Sequence, residues 1–327
     1  MKRAFRRAKA AGETTSIFFA SDFHGADPCW RKFLGAGRHY GVDTLIMGGD
    51  LAGKALVPIA RQPDGSFSAR FLGEQHDVRG QEQLDRLVAA VRFNGMYPWV
   101  AEPDQIEKFR ADAAGRDELF EQLILDDLRR WLALADERMP QYGIGVYVVG
   151  GNDDPWSCDN VLRTAEHVVA CDDSVVRIGD HEMISCSYAN TTPWHSPREL
   201  DEQALYDHLH GLAEQVEDPR RAIFMFHVPP FDSGLDTAAK LDEDLNVVYV
   251  GGQAQQVPVG SSAVRQIIEE YQPLLSLHGH IHESGGRAMI GRTLSINAGS
   301  EYSTGMLHGA VIRLGRDEVV SHQLVFG

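Results

Sequence analysis

Five short runs of apolar residues each end in residues able to do chemistry. They are SIFFASDFHG (16–25), DTLIMGGDL (43–51), IGVYVVGGND (144–153), RAIFMFHVPP (221–230) and PLLSLHGHIH (273–282). Nearly continuous apolar runs of this length suit strands buried on both faces. In open α/β sheets, ligands bind beyond the carboxyl ends of the strands. The five strand ends are therefore expected to converge on one site.

The intervening segments carry helical periodicity. In 116–134, Leu119, Phe120, Leu123, Ile124, Leu128, Trp131 and Leu132 fall on one stripe, which reads as core packing. Segments 198–216 and 261–271 read the same way, with Ser261 or Ser262 as the N-cap of the latter. Residues 53–117 break the strand–helix rhythm with a hairpin at 63–73 and short helices near 81–93 and 104–113. This stretch is expected to be an insertion within a single domain spanning 1–327, acting as a lid or as a homodimer contact. The segments after residue 290 alternate like antiparallel strands of a second sheet. Residues 1–13 are rich in Lys and Arg without an apolar stretch, and read as a basic, flexible arm rather than a secretory signal.

Composition narrows the function classes. With 31 Lys and Arg against 47 Asp and Glu, the net charge is −16, which argues against nucleic acid as the partner. No apolar run is long enough for a membrane span. Cys29, Cys158, Cys171 and Cys186 have no metal-site spacing and read as reduced thiols, which points to the cytoplasm.

The strand ends supply Asp22 and His24, then Asp50, Asn152 and His227, and finally His280 and His282. The D-x-H and H-x-H spacings put both side chains of each pair on one side of an extended segment. Two carboxylates, an amide oxygen and four imidazoles suit zinc, iron, manganese or cobalt better than calcium. Seven such groups are too many for one tetrahedral ion and suit two ions sharing a carboxylate.

With DFH (22–24), GGD (48–50), GGND (150–153), His227 and GHIH (279–282), the chain resembles the calcineurin-like metallophosphoesterases. TTPWHSPREL (191–200) and INAGSEYSTG (296–305) look most like a bacterial and archaeal branch similar to cyclic-nucleotide phosphodiesterases. The resemblance implies a four-layer α/β/β/α sandwich of two mixed sheets with flanking helices. It implies two divalent ions, with manganese, iron and zinc foremost and nickel or cobalt as alternatives. One would be held by Asp22, His24, Asp50 and His282, the other by Asp50, Asn152, His227 and His280. It further implies hydrolysis of a small phosphoester by a hydroxide bridging the ions, on a diester foremost, with monoesters or nucleic acid as alternatives and a non-catalytic scaffold as a third.

The motif departs from many relatives at Asp153, where a histidine is usual. An ionised Asp153 about 5 Å from a phosphate would cost roughly 3 kcal/mol at an effective dielectric near 20. That favours a diester monoanion over a monoester dianion. A protonated Asp153 would instead be a general acid, and an Asp153 turned away would only cap a turn. His195 and Arg198, on the 191–200 segment, are the other candidate catalytic groups, Arg198 by pairing with phosphate.

Overall fold

The computed structural model describes residues 14–327, so the basic arm at 1–13 lies outside the described residues. The larger strands, in chain order, are β1 (Thr15–Ala20), β2 (Thr44–Gly48), β3 (Ala55–Arg61), β4 (Ser66–Phe71), β5 (Glu74–Arg79), β6 (Met96–Ala101), β7 (Gly145–Val149) and β8 (Val168–Ala170). They continue with β9 (Val175–Ile178), β10 (His181–Cys186), β11 (Ile223–Phe226), β12 (Leu275–His278), β13 (Gly286–Ile290), β14 (Thr293–Asn297), β15 (His308–Leu314) and β16 (Val319–Phe326). The helices are α1 (Asp27–Tyr40), α2 (Gly80–Phe93), α3 (Pro103–Ala111), α4 (Ala113–Arg138), α5 (Ser157–Leu162), α6 (Glu202–Ala213) and α7 (Ser262–Tyr271).

Two six-stranded mixed sheets form the centre, in the orders β16-β15-β1-β2-β7-β8 and β13-β14-β12-β11-β10-β9. Within them β1, β2 and β7 run parallel, as do β10, β11, β12 and β14. The strands bury both faces, and alternation along each strand sorts its residues between two layers. Ile17, Phe19 and Ile46 of the first sheet meet Met183, Met225, Leu277 and Ile296 of the second in the layer between the sheets. Phe18, Ala20, Leu45 and Met47 face the other way, onto Trp30, Phe33, Leu128 and Trp131 of α1 and α4. Ile184, Phe224 and Phe226 face outward from the second sheet onto Leu205 and Leu209 of α6 and Val264 and Ile268 of α7. The result is the α/β/β/α sandwich expected from the sequence.

The helices follow their stripes. On α4, Ile124, Leu128, Trp131 and Leu132 are buried, while Phe120 and Leu123 pack at the margin. Trp30 and Trp131 stack at 5.3 Å, and the Trp30 indole N–H donates to the Trp131 carbonyl, locking α1 against α4. Ser261 is the N-cap of α7, its hydroxyl accepting from Val264 N–H at 3.2 Å.

Two features depart from the expectation. The C-terminal strands are not all in the second sheet. β14, with all five residues buried, lies parallel to β12 there, whereas β15 and β16 complete the first sheet antiparallel to β1. Uninterrupted burial suits β14 to an inner position, and the alternating burial of β15 suits a strand nearer an edge. The segment after residue 53 also holds a separate four-stranded sheet, β5-β4-β3-β6, with α2 packed on it through Leu84, Leu87 and Val91.

Candidate metal centre

The five strand ends converge. Asp22 and His24 follow β1, Asp50 follows β2, Asn152 follows β7, His227 follows β11, and His280 and His282 follow β12. Backbone bonds lace these loops together: Asp22 N–H to Gly49 carbonyl at 2.9 Å, His24 N–H to Asp50 carbonyl at 2.9 Å, and Gly279 N–H to His227 carbonyl at 2.9 Å. Two glycines of the motifs are explained by close approach. A Cβ at Gly151 would overlap Asp50 Oδ1, and one at Gly279 would overlap Asp22 Oδ2. Asp22, His24, Asp50 and His280 all adopt positive φ, between 41° and 66°. Such backbone is costly for non-glycine residues and persists where the surroundings over-determine it.

One donor atom from each of Asp22, His24, Asp50 and His282 lies within 4.8 Å of the others, and the same holds for Asp50, His227 and His280. Asp50 belongs to both groups. Its Oδ2 is 3.4 Å from His24 Nε2, and its Oδ1 is 3.4 Å from His227 Nε2. Asn152 joins the second group, its Oδ1 lying 3.1 Å from His227 Nε2. The Asn152 amide donates to Asp153 Oδ1 and Ser196 Oγ, at 3.0 and 2.9 Å, which turns its oxygen toward the centre. His24 Nδ1 donates to the Ala52 carbonyl and His227 Nδ1 to the Gly48 carbonyl, which turns Nε2 of each toward the centre. Fixing one ring nitrogen on a carbonyl is how proteins present the other to a metal.

The electrostatics favour cations. Asp22 and Asp50 are buried, and among the described residues neither has a Lys or Arg within ion-pair distance. Burial pushes the Asp22 carboxyl up, but the hydrogen bond and charge of His282 hold it below the usual range; for Asp50, His227 and His24 overcome burial and hold it well below. Burial draws His24 and His280 down to about 4. Burial also opposes a charge on His227, yet Asp50 and Asp22 raise it to about 10, and Asp22 likewise raises His282. Buried carboxylates that among the described residues make close ion pairs with imidazoles alone fit shared divalent ions.

The remaining candidates fall in different places. Asp153 lies beside the centre, its backbone N–H donating to Asp50 Oδ1 at 3.0 Å. Its carboxylate neither stands alone nor turns away: Oδ1 accepts from Ser196 Oγ at 2.9 Å, and Oδ2 pairs with Lys54 Nζ at 2.7 Å. His195 is exposed on the cleft wall, with φ of 52°. Arg198 is elsewhere. It is fully buried behind the loops, donating to the Asp154 and Pro155 carbonyls and pairing with Asp159 at 2.8 Å and Asp172 at 3.2 Å. Its guanidinium also lies over the Trp156 ring at 4.4 Å. With its donors so engaged it has none aimed at the centre, because two carboxylates from distant segments claim it first.

Sequence reasoning passed over Ser196 and Tyr302. Asp154 accepts from the backbone of Leu51, Ala52 and Gly151, and burial together with the nearby Asp50 raises it to about 6. The Tyr302 ring packs on His24 at 4.7 Å. Nothing local in the sequence marks Ser196 or Tyr302. His278 faces away from the centre and bonds the Phe226 and Val228 carbonyls. A cleft of about 1290 Å³ opens from the centre, walled by α4, the 190–197 loop and residues 238–241 and 257–260.

No protein-family model matches the chain. Among curated proteins, it is 28% identical over 128 residues to the uncharacterized protein MJ1162 of Methanocaldococcus jannaschii, a match covering 38% of this chain and 51% of that one. The chain thus spans about half the length of the curated relative it matches. TT1561 of Thermus thermophilus superposes with a TM-score of 0.54 at 14% identity, covering 96% of this chain and 99% of that one. Another solved structure superposes at 0.56 and 16% identity with the same coverage. The chain shares its fold with these two solved structures. Among the described residues no helix is long and apolar enough to cross a membrane, and all four cysteines are buried free thiols.

Proposed function

We propose that the protein is a metal-dependent phosphoesterase that hydrolyses a small phosphodiester at this centre. The observation that carries the reading is the pair of buried carboxylates, Asp22 and Asp50, ringed by four imidazoles and the Asn152 oxygen, with no Lys or Arg among the described residues within ion-pair distance of either. Divalent ions bound there would lower the pKa of water to give a nucleophile at neutral pH and offset charge growing on phosphorus. Asp22, His24, Asp50 and His282 would hold one ion, and Asp50, Asn152, His227 and His280 the other. Manganese, iron or zinc suits this donor set.

The chain's own residues supply rigidity and shape. The carbonyls of Ala52 and Gly48 keep two imidazoles in one tautomer, and Ser196 and Asp153 keep the Asn152 oxygen turned inward. His195, exposed on the cleft wall, is the group available to a departing alkoxide, and Trp194 beside it offers a flat apolar surface to an organic substituent. The pairing of Asp153 with Lys54 removes the repulsion argued for a lone carboxylate, so the diester reading rests on space. The cleft exceeds the roughly 300–1,000 Å³ typical of small-molecule sites and has room for substituents on both ester oxygens. Acidic side chains at Asp117, Glu121 and Glu283 in its lining disfavour a polynucleotide.

The test is an activity panel on protein reconstituted with manganese, iron or zinc. Bis-p-nitrophenyl phosphate, p-nitrophenyl phosphate and cyclic and linear nucleotides would be compared. Diester preference is expected. Monoester preference would overturn the diester reading, and a fully loaded protein that cleaves no phosphoester would overturn the enzyme reading.

A further inference from the structure

The ion pair between Lys54 and Asp153 stands at the edge of the metal centre and is made by residues from two different loops. We propose that Lys54 is a substrate-binding residue that donates to a non-bridging oxygen of the phosphoryl group, and that Asp153 is the positioning residue that aims it. This rests on the phosphoesterase reading above and adds a group of the chain to the substrate's surroundings.

Position is the first argument. Lys54, Asp153, Asp50, Asn152, His280 and His282 line one cleft. Lys54 Nζ lies 2.7 Å from Asp153 Oδ2, beside Asn152 of the second donor group. Asp153 cannot swing far, because its backbone N–H is bonded to Asp50 Oδ1 at 3.0 Å.

Rigidity is the second. An exposed ion pair is ordinarily worth little, since two long side chains must be ordered to form it. Here both ends are anchored. The Asp153 carboxylate is oriented by Asn152 Nδ2 at 3.0 Å and Ser196 Oγ at 2.9 Å before Lys54 approaches its other oxygen. The backbone just before Lys54 is pinned by the Gly53 N–H, which donates to the Tyr97 hydroxyl at 2.7 Å. Tyr97 belongs to β6, so the four-stranded sheet sets where Lys54 begins.

Capacity is the third. An ammonium carries three N–H donors. Asp153 takes one at 2.7 Å, and the Lys54 side chain is 53% exposed to the cleft, leaving donors for a ligand. Among the described residues no second carboxylate pairs with it. A lysine tied on one side by a carboxylate and open on the other presents a fixed positive charge to an anion, as electrostatic stabilisation of a transition state requires.

The variants are Lys54→Met, Lys54→Arg and Asp153→Asn, each reconstituted with manganese. The readouts are metal content, calorimetric binding of inorganic phosphate, and kcat and KM on bis-p-nitrophenyl and p-nitrophenyl phosphate. Lys54→Met is expected to keep the wild-type metal content, bind phosphate about 10-fold more weakly and lose about 10- to 100-fold in kcat/KM, on the scale of removing one charged donor. Lys54→Arg is expected to recover most of the phosphate binding. Asp153→Asn loses the ion pair that aims Lys54 and should weaken phosphate binding several-fold at unchanged metal content, with Lys54 still present. Phosphate binding by Lys54→Met equal to wild type would overturn the proposal, as would loss of metal in parallel with loss of binding, which would make Lys54 a support of the centre. If wild-type protein is loaded and binds phosphate but cleaves no ester, the phosphodiesterase reading fails while the phosphate arm still decides Lys54. A loaded wild type that binds no phosphate overturns both.

Discussion

Asp154 accepts the backbone N–H of Ala52 at 2.7 Å, joining two loops whose residues stand 102 positions apart in the chain. The same carboxylate accepts from Leu51 at 3.1 Å and Gly151 at 2.8 Å. It therefore holds the loop that carries Asp50 against the loop that carries Asn152. Asp154→Asn would set an amide N–H₂ against backbone donors and orphan at least one of them in a buried place. The expected loss is about 1–3 kcal/mol of stability per orphaned donor. Urea unfolding at pH 7.5 measures it, and metal content should fall with it, because the two halves of the centre lose register. An unchanged midpoint would show that the loops are held by their other bonds.

Arg198 is expected to matter for stability far more than for chemistry. Removing it by Arg198→Met strands the carboxylates of Asp159 and Asp172 near the buried cavity it leaves. Breaking one partner out of a buried ionic network typically costs about 3–5 kcal/mol. Arg198→Lys should recover only part of this, since an ammonium cannot reproduce a fork that serves two carbonyls and two carboxylates. Guanidinium unfolding of the three proteins decides it. A wild-type midpoint in Arg198→Lys would mean that charge alone suffices there.

The placement of Arg198 also shows where local sequence stops being informative. The seven residues that converge at the strand ends were legible because each follows a continuous apolar run, and parallel strands deliver their carboxyl ends to one edge. The two core faces were legible for a related reason: alternation along β1 assigns Ile17 and Phe19 to one layer and Phe18 to the other. Nothing near Arg198 reveals that Asp159 and Asp172 fold behind it. Lys54 and Asp153 gave no sign of meeting, as their loops become neighbours only once β2 and β7 pair. The parallel pairing of β3 with β6 across α2 is likewise a long-range event, which is why the local pattern displayed a hairpin and two helices but not the four-stranded sheet.

His181 gives a pH dependence away from the centre. It opens β10, is buried, and donates from Nδ1 to the Arg221 carbonyl at 2.8 Å. Burial lowers its pKa below the ordinary value of 6.5. The folded state therefore prefers the neutral ring, and the stability it contributes is present above pH 6.5. It is lost as the pH falls from there toward the folded pKa, because the unfolded chain takes up a proton that the folded one refuses. The slope is at most about 1.4 kcal/mol per pH unit in that window. Thermal unfolding of wild type and His181→Gln from pH 8 to pH 5 should show the variant losing less stability on acidification. Parallel curves would assign the wild-type slope to other groups.

Asp50 and Asp22 should differ in how many ions each controls. Asp50 offers one oxygen toward His24 and the other toward His227, so it belongs to both donor groups, whereas Asp22 belongs to one. Asp50→Asn replaces a carboxylate that faces both ways with a neutral amide having one oxygen. Both ions then lose a ligand and the charge that offsets them. Asp22→Asn weakens the group with His24 and His282 and leaves Asp50, Asn152, His227 and His280 intact. After reconstitution and gel filtration, metal analysis should find Asp50→Asn nearly empty and Asp22→Asn retaining about one ion, against two in wild type. Activity should be lost in both, but only Asp22→Asn should keep a metal-dependent rise in melting temperature, since only it retains a site that binds the folded state alone. Equal metal loss in the two variants would mean that the centre assembles as one unit, with neither half able to bind while the other is damaged.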